Sequence, residues 1–321
     1  MDANFVPDSL QDLIVYFSDP RTCVEFMARM RWPDGPVCPK CESKRLSFLQ
    51  TRLMWKCLDC QKQFSVKVNS IFEDSPIGLD KWLCAMWLIS NCKNGVSSYE
   101  ISRDLKISQK AAWFMLQRIR HAMATGTFTK LKGDIEIDET FIGGKARNMH
   151  KDRKLRAQKE GGRNLANKST VMGMLERKGK VKAKVIQDRK RETMAPIISD
   201  HVEVGSTIYS DEHGQQWSSW DYQSDMVNHA AGEYVRGNVH TNGIENFWSL
   251  LKRGLGGTYI SVEPFHLFRY IDEQVFRYNH RKDEDGNKLS DADRFTLLCS
   301  QVAGRRLTWN QVTGKDSAVV H

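Results

Sequence analysis

Three acidic residues are the first candidates for chemistry in this chain of 321 residues. Asp138 lies in the alternating run GDIEIDETFIGG, where the two-residue period of a strand puts Asp134, Glu136 and Asp138 on one face and isoleucines on the other. Asp211 ends a second strand-like run, TIYSDEH. Hard divalent cations prefer carboxylate oxygens as ligands, so two acids carried by strands can share a metal ion.

Glu245 is the third acid and belongs to the run HTNGIENFWSLLKR, whose apolar residues recur at helical spacing. It flanks the apolar stripe, so we predict that it faces inward. A local alternative exists, because Asn242 and Glu245 are three positions apart at the helix start, as in a capping box. For Asp138 or Asp211 alone, solvation at a turn or strand end is the better explanation, but the three acids together favour a metal site.

Four cysteines in the pattern C-x2-C-x15-C-x2-C form a second candidate site, at Cys38, Cys41, Cys57 and Cys60. This is the spacing of a zinc ribbon, in which each tight knuckle aims two thiolates at one tetrahedral ion. Four thiolates leave no position open for water, so this single zinc is predicted to be structural. Two redox pairs, or chance, are the alternatives. The remaining cysteines are predicted to be small buried residues: Cys23, Cys84, Cys92 and Cys299.

The elements that must position these residues change character along the chain. Two short helices are predicted within residues 8–31, short strands around the cysteines, and three helices from 79 to 125. A sheet follows, with a hairpin around residues 178–180 and a helix from Asn242 to Leu255. The fold class is therefore a multidomain α+β or α/β chain. The predicted divisions are a helical lead-in (1–36), a zinc ribbon (37–70), a helix-turn-helix (79–126), a catalytic domain (130–281) and a helical tail (282–321).

The helix-turn-helix prediction rests on helix starts. Ser97 and Glu100 have capping-box spacing, and Ser108 caps the next helix after a short turn. In that second helix Lys110 and Arg118 are predicted to contact DNA. The outward set is Gln109, Lys110, Gln117, Arg118 and Arg120, and the packed set is Ala112, Met115, Leu116 and Ile119. An ordinary helical hairpin is the alternative.

The charge of the chain favours a phosphate-rich partner. Lys and Arg number 48 against 39 Asp and Glu, which gives a net charge of +9. Residues 145–168 carry nine basic residues against two acids. We predict that this insertion contacts double-stranded DNA, with Lys151, Arg153 and Lys154 among the contacts, although a solvated loop is the alternative.

Composition also excludes several classes of protein. The longest fully apolar stretch, residues 82–89, is shorter than the roughly 18 residues that a membrane-spanning helix needs. The start, MDANFVPDSLQDL, has acids where a secretory signal has basic residues. Eight cysteines are too few for a disulfide scaffold. We therefore expect a cytoplasmic protein that contacts nucleic acid and has no membrane partner.

The runs IDETFIGG, IYSDEH, HTNGIENFWSLLKRGLGGTY, HLFRY and FRYNHR resemble the insertion-sequence DDE transposases of the ISXO-like group, and the zinc ribbon fits that group. The resemblance covers roughly residues 20–281 and implies a ribonuclease-H-like catalytic domain. It also implies a bacterial protein associated with the nucleoid. It implies that Asp138 and Asp211 bind metal jointly, that Glu245 completes the triad, and that Lys252 contacts DNA near the scissile phosphate. One departure is GTYISV, where relatives often carry histidines after the tyrosine.

The chemistry implied is phosphodiester hydrolysis at the element ends, followed by attack of the freed 3′-hydroxyls on target DNA. Two Mg²⁺ or Mn²⁺ ions held by the three acids would support both steps. Joining two ends calls for at least a homodimer on DNA. Two alternatives are a nuclease of the same fold without strand transfer and a non-catalytic DNA-binding regulator.

Overall fold

The computed structural model describes residues 5–124, 129–143, 168–210, 221–226 and 240–315. The chain divides into two compact units. The first combines Met1–Thr125 with His280–His321, and the second is Gly126–Asn279.

The first unit begins with the two predicted short helices, α1 (Leu10–Tyr16) and α2 (Pro20–Arg31). Three short antiparallel strands follow, in the order β1-β2-β3. They are β1 (Leu46–Leu49), β2 (Met54–Cys57) and β3 (Gln63–Phe64). These strands match the predicted runs around the cysteines.

The three predicted helices of this unit are present as α3 (Leu79–Asn91), α4 (Ser98–Asp104) and α5 (Gln109–Met123). The Ser97 capping box at the start of α4 is formed, because its hydroxyl accepts from the Glu100 N–H and the Glu100 carboxylate accepts from the Ser97 N–H. The predicted packed set on α5 is buried.

The predicted outward face of α5 is wrong for three residues: Gln117, Arg118 and Arg120 are buried. Every residue from 115 to 120 is buried, so this half of α5 is enclosed on all sides and is not amphipathic. The Arg118 guanidinium donates to the carbonyl of Glu73, and burial lowers its pKa to about 10. Because a side chain held this way is withdrawn from the surface, the structure removes the support for Arg118 as a DNA contact. Lys110 is exposed, as predicted.

The second unit is built on a five-stranded mixed sheet in the order β6-β5-β4-β7-β8. The strands are β4 (Asp134–Ile142), β5 (Ser169–Glu176), β6 (Val181–Ile186), β7 (Thr207–Ser210) and β8 (Gln223–Met226). The predicted hairpin is β5 and β6. Strand β4 lies at the centre, antiparallel to β5 and parallel to β7.

Helices cover both faces of this sheet. Helix α6 (Arg191–His201) packs on the face that carries Ile135 and Ile137. Helices α7 (Asn242–Gly254) and α8 (Leu267–Asn279) pack on the opposite face. A π-helical turn and a 3-10 turn connect α7 to α8. The predicted alternation along β4 is therefore confirmed, and its acids point toward the side covered by α7.

The chain then returns to the first unit with α9 (Asp291–Ser300) and α10 (Trp309–Val312). Phe295 of α9 stacks on Phe26 of α2, with ring centroids 5.9 Å apart. On α10, the Trp309 ring meets Phe114 of α5 edge-on at 5.3 Å, and the Lys110 ammonium lies over it at 4.7 Å. The C-terminal helices are thus part of the core of this unit.

The cysteines outside the ribbon divide into two pairs. Cys23 and Cys299 are buried, as predicted, whereas Cys84 and Cys92 are partly exposed and correct that prediction. Cys84 remains a protonated thiol at neutral pH, because desolvation raises its pKa to about 11.

Across the parts of the chain that the structure describes, every helix is too short or too polar to cross a membrane.

Candidate active site and zinc-binding site

The four ribbon cysteines come together at one point. All four sulfur atoms lie within 4.8 Å of one another, with Cys38 and Cys60 at 3.5 Å and Cys41 and Cys57 at 3.6 Å. A tetrahedral zinc with Zn–S bonds of about 2.3 Å separates its sulfurs by about 3.8 Å. The spacing and the donor set therefore fit one structural zinc.

The knuckle backbone turns each cysteine pair toward the site and lowers the pKa of Cys57. After each pair, the residue that follows the second cysteine adopts a positive φ of 59°, which turns the chain back toward the site. The Cys60 N–H donates to the Cys57 sulfur at 3.5 Å. That bond, assisted by the Asp59 N–H, lowers the pKa of Cys57 to about 6 against the opposing effect of desolvation. A thiolate at neutral pH is the form that binds zinc.

We predict that Cys57→Ser releases zinc and melts the ribbon while the second unit stays folded. The ribbon strands are only two to four residues long, so the ion supplies much of their stability. Zinc content and thermal unfolding measure the effect, and Cys84→Ser is the matched control because that thiol lies outside the cluster. Wild-type zinc content in Cys57→Ser would contradict the assignment.

Asp138 lies on the central strand with both carboxylate oxygens oriented by hydrogen bonds. Its Oδ1 accepts the backbone N–H of Glu139 at 2.7 Å, and its Oδ2 accepts the indole Nε1–H of Trp248 at 2.9 Å. Trp248 is 4% exposed and belongs to α7. The carboxylate is thus partly buried and fixed in orientation by a residue of the facing helix.

A glycine makes this hydrogen bond possible. Gly173 on β5 pairs directly with Asp138, and a β-carbon at Gly173 would lie 2.5 Å from Cζ2 of Trp248. The indole occupies the space that a side chain on β5 would fill. Trp248 is one of the apolar residues at helical spacing in the run HTNGIENFWSLLKR, and its burial agrees with that pattern, whereas its donor role toward Asp138 has no signal in the sequence.

We predict that Gly173→Ala pushes the indole away from the sheet and weakens its bond to Asp138. Overpacking of this kind costs about 1–3 kcal/mol of stability. Urea denaturation measures the loss, and tryptophan fluorescence reports the altered environment of the ring. Gly256→Ala is the control, because a β-carbon there meets open space among the described residues. Equal stability of the two variants would contradict this packing.

Glu136 ties the start of α7 to the central strand. It is 1% exposed, and its Oε2 accepts the backbone N–H of Ile244, the third residue of α7, at 2.9 Å. A carboxylate at a helix N-terminus satisfies a free N–H and interacts favourably with the helix dipole. Gly243 permits this approach, since a β-carbon there would lie 2.7 Å from Glu136 Oε2.

Arg177 completes the support around Glu136. Its Nε donates to Glu136 Oε1 at 3.0 Å, and its Nη2 donates to the carbonyl of His240 at 2.7 Å. The guanidinium also lies 4.0 Å from the ring centroid of Tyr209 on β7, whose hydroxyl donates to Asp134 at 3.2 Å. One arginine therefore links β4, β7 and the segment leading into α7, a role that sequence reasoning missed.

Glu245 lies one helical turn before Trp248 on α7. The helix begins at Asn242 with Thr241 at the N-cap, so Ile244 and not Glu245 holds the capping-box position, and that alternative is wrong. Glu245 is exposed, which corrects the predicted inward orientation. The Thr241 hydroxyl lies 3.4 Å from its Oε1. Lys252 is also exposed, in the last turn of the same helix.

Several predicted site residues lie outside the described residues. Strand β7 ends at Ser210, the residue that precedes Asp211 in sequence. Asp211 itself lies outside the described residues. So do Lys151, Arg153 and Lys154, together with all of the basic insertion except Lys168.

Comparison with known proteins matches two regions of the chain. Residues 130–279 match the ISXO2-like transposase domain, and residues 18–63 match the transposase zinc-ribbon domain. The chain belongs to the ISXO2-like transposases. The transposase domain coincides closely with the second compact unit, and the ribbon domain spans α2 and β1 to β3. An uncharacterized protein in transposable element ISH50 of Halobacterium salinarum is 24% identical to this transposase over 277 residues, covering 81% of this chain and 93% of the relative.

Proposed function

We propose that this transposase binds the terminal inverted repeats of its element, hydrolyses the phosphodiester at each end and joins the freed 3′-hydroxyls to target DNA. One observation carries the proposal: the Asp138 carboxylate on the central strand is bonded to Trp248, one turn after Glu245 on α7. Two of the three predicted catalytic acids thus belong to elements that are directly hydrogen-bonded to each other.

We further propose that the catalytic unit has a ribonuclease-H-like fold. The five-stranded mixed sheet, its acid-bearing central strand and the helices on both faces support this assignment. Asp211 follows Ser210, the last residue of the strand parallel to β4. The parallel register pairs Glu136 with Tyr209, and these residues precede Asp138 and Asp211 by two positions each, which supports a role for Asp211 beside Asp138.

Asp138, Asp211 and Glu245 would hold two Mg²⁺ or Mn²⁺ ions. The donor set fits, because hard divalent cations prefer carboxylate oxygens and the Asp138 carboxylate is held in one orientation while only partly buried. Glu136 does not fit as a ligand, since it is 1% exposed and its charge is paired with the Arg177 guanidinium at 3.0 Å. When bound, the ions supply an activated water or 3′-hydroxyl and neutralise charge on the departing oxygen.

The protein's own contribution is orientation. Trp248 fixes the direction of the Asp138 carboxylate, and Glu136 fixes α7 against β4. Lys252, exposed on the same helix as Glu245, would bind a DNA phosphate near the bond that is cut. No serine or tyrosine nucleophile is required.

The protein would bind DNA through more than one region. The basic insertion 145–168 would bind phosphates beside the active site, and the zinc ribbon with α4 and the exposed start of α5, including Lys110, would bind the element ends. Two ends joined in one complex imply at least a dimer on DNA.

Replacing Lys151, Arg153 and Lys154 by alanine should weaken the salt dependence of DNA binding. Each phosphate contact contributes about 0.9 to the slope of log affinity against log salt, so the slope should fall by up to about 2.7. Binding titrations at salt concentrations from about 50 to about 200 mM measure this slope. The control variant carries the same change in the β5–β6 hairpin, at Lys178, Lys180 and Lys184. An unchanged slope in the first variant would contradict the contact.

The experiment that tests the function is a mobility assay. A marker flanked by the terminal repeats beside this gene is supplied with wild-type protein, Asp211→Asn or the surface control Glu203→Gln, and insertion into a recipient plasmid is scored. We expect insertion with wild type and control only. Cleavage of the ends without insertion by wild type would indicate a nuclease, and repeat binding without cleavage would indicate a regulator.

A further inference from the structure

Ile260 lies in a strained turn that exposes its side chain. Its φ of 60° and ψ of −55° are those of a positive-φ γ-turn, and the Ser261 N–H donates to the Tyr259 carbonyl at 2.6 Å across it. Such turns are rare, and a β-branched residue at positive φ is an outlier. The side chain is nevertheless 82% exposed.

The residues on both sides of this turn are firmly held. The Tyr259 hydroxyl donates to the buried Glu273, and its ring meets Tyr270 with centroids 4.8 Å apart. Val262, on the other side, packs against the apolar cluster beneath α7 and α8. Strain at Ile260 persists because its neighbours are fixed, and strained residues of this kind concentrate at ligand-contacting sites.

The surroundings of Ile260 favour nucleic acid as the partner. The segment continues directly from α7, whose last turn carries the exposed cations Lys252 and Arg253. Gly256, Gly257 and Ser261, close to it in sequence, are exposed and small, and the next exposed large apolar side chain along the segment is Phe265, in the 3-10 turn. A stable protein interface needs roughly 800 Å² on each partner, whereas a single apolar side chain beside cations suits insertion between stacked bases.

We propose that Ile260 is a wedge that enters the base stack of double-stranded DNA next to the phosphodiester that is cut. The inference rests on the proposed function of the site, because it places α7 and Lys252 on the DNA. Unstacking one base step costs a few kcal/mol and allows the strand to bend toward the acids.

Base stacking is measured with duplexes that carry the element's own end and 2-aminopurine, whose fluorescence rises on unstacking, at successive positions around the cut site. In EDTA, which prevents cleavage, we expect wild-type protein to raise the signal several-fold at one position. Ile260→Ala and Ile260→Gly should lose most of this rise. Val204→Ala, which alters another exposed apolar residue of the same unit, should retain it.

Ile260→Gly separates the wedge from folding, since glycine adopts positive φ without strain and this variant should melt at or above the wild-type temperature. A wild-type fluorescence rise in Ile260→Ala at every position would overturn the proposal. So would loss of self-association in Ile260→Ala with unchanged base stacking, which would assign Ile260 to a second copy of the chain. Failure of wild-type protein to cut the ends in Mg²⁺ would instead reject the proposed function itself.

Discussion

Asp138→Asn is expected to slow cleavage of an element end by about 10³-fold or more, the scale of losing a central electrostatic group in an active site. Asparagine retains the size of aspartate but removes the charge that a divalent ion requires. Its single carbonyl oxygen also serves only one of the two donors, the Glu139 N–H and the Trp248 indole. A stability loss of about 1–3 kcal/mol should accompany the change, which leaves the protein folded.

Asp134→Asn is the matched control for this prediction. Asp134 stands on the same strand and the same face, and its Oδ1 accepts the Tyr209 hydroxyl, a bond that asparagine can keep. Cleavage of a labelled duplex in Mg²⁺ by the two variants, at protein concentrations that saturate binding, gives the comparison. Cleavage by Asp138→Asn within a few-fold of the control would remove Asp138 from the catalytic set.

Glu136→Ala should be the most destabilising single change in the second unit, by about 3–5 kcal/mol, because it breaks a buried ion pair on one side only. Arg177 would keep its charge in a largely buried position, and the Ile244 N–H at the start of α7 would lose its acceptor. Urea denaturation of the full chain measures the loss, with the transition of the second unit shifted to lower urea.

Glu136→Gln distinguishes the charge of Glu136 from its hydrogen bond. Glutamine can still accept the Ile244 N–H but no longer pairs with the Arg177 charge, so we expect a smaller loss of stability. Cleavage should decrease in kcat with little change in KM, because Glu136 positions the helix that carries Glu245 and is itself buried. If Glu136→Ala unfolds at the wild-type urea concentration, the proposed tie between β4 and α7 is wrong.

The local patterns of the sequence were sufficient for the frame of the site. The cysteine spacing predicted the ribbon, and the sulfur positions fit it. The two-residue period around Asp138 predicted a strand with its acids on one face, and the opposite packing of Ile137 and Trp248 confirms it. These predictions succeed because the alternation of side chains along a strand and the spacing of zinc-binding cysteines are both determined by residues close together in the chain.

The contacts that orient the site could not be predicted in this way. The bond between Trp248 and Asp138 depends on Gly173, from a third part of the chain. The acceptor for the Ile244 N–H at the start of α7 is Glu136, 108 residues earlier in the chain. Glu245 therefore does not cap this helix. The prediction that Arg118 is a surface residue is wrong for the same reason, since its guanidinium donates to the carbonyl of Glu73, 45 residues earlier in the chain.

The most direct test of the account is joining by purified protein. A duplex of the element end with its 3′-hydroxyl already exposed is incubated with target plasmid and Mg²⁺, and the joined product is quantified for wild type, Asp138→Asn, Asp211→Asn, Glu245→Gln and the control Asp134→Asn. We expect the wild-type protein and the control to join the duplex to the plasmid, and EDTA to abolish this joining. Each of the three acid variants should give at least about 10³-fold less product. Joining at the wild-type level by any of the three acid variants, or any joining by the wild-type protein in EDTA, would contradict a metal-dependent mechanism that uses these acids.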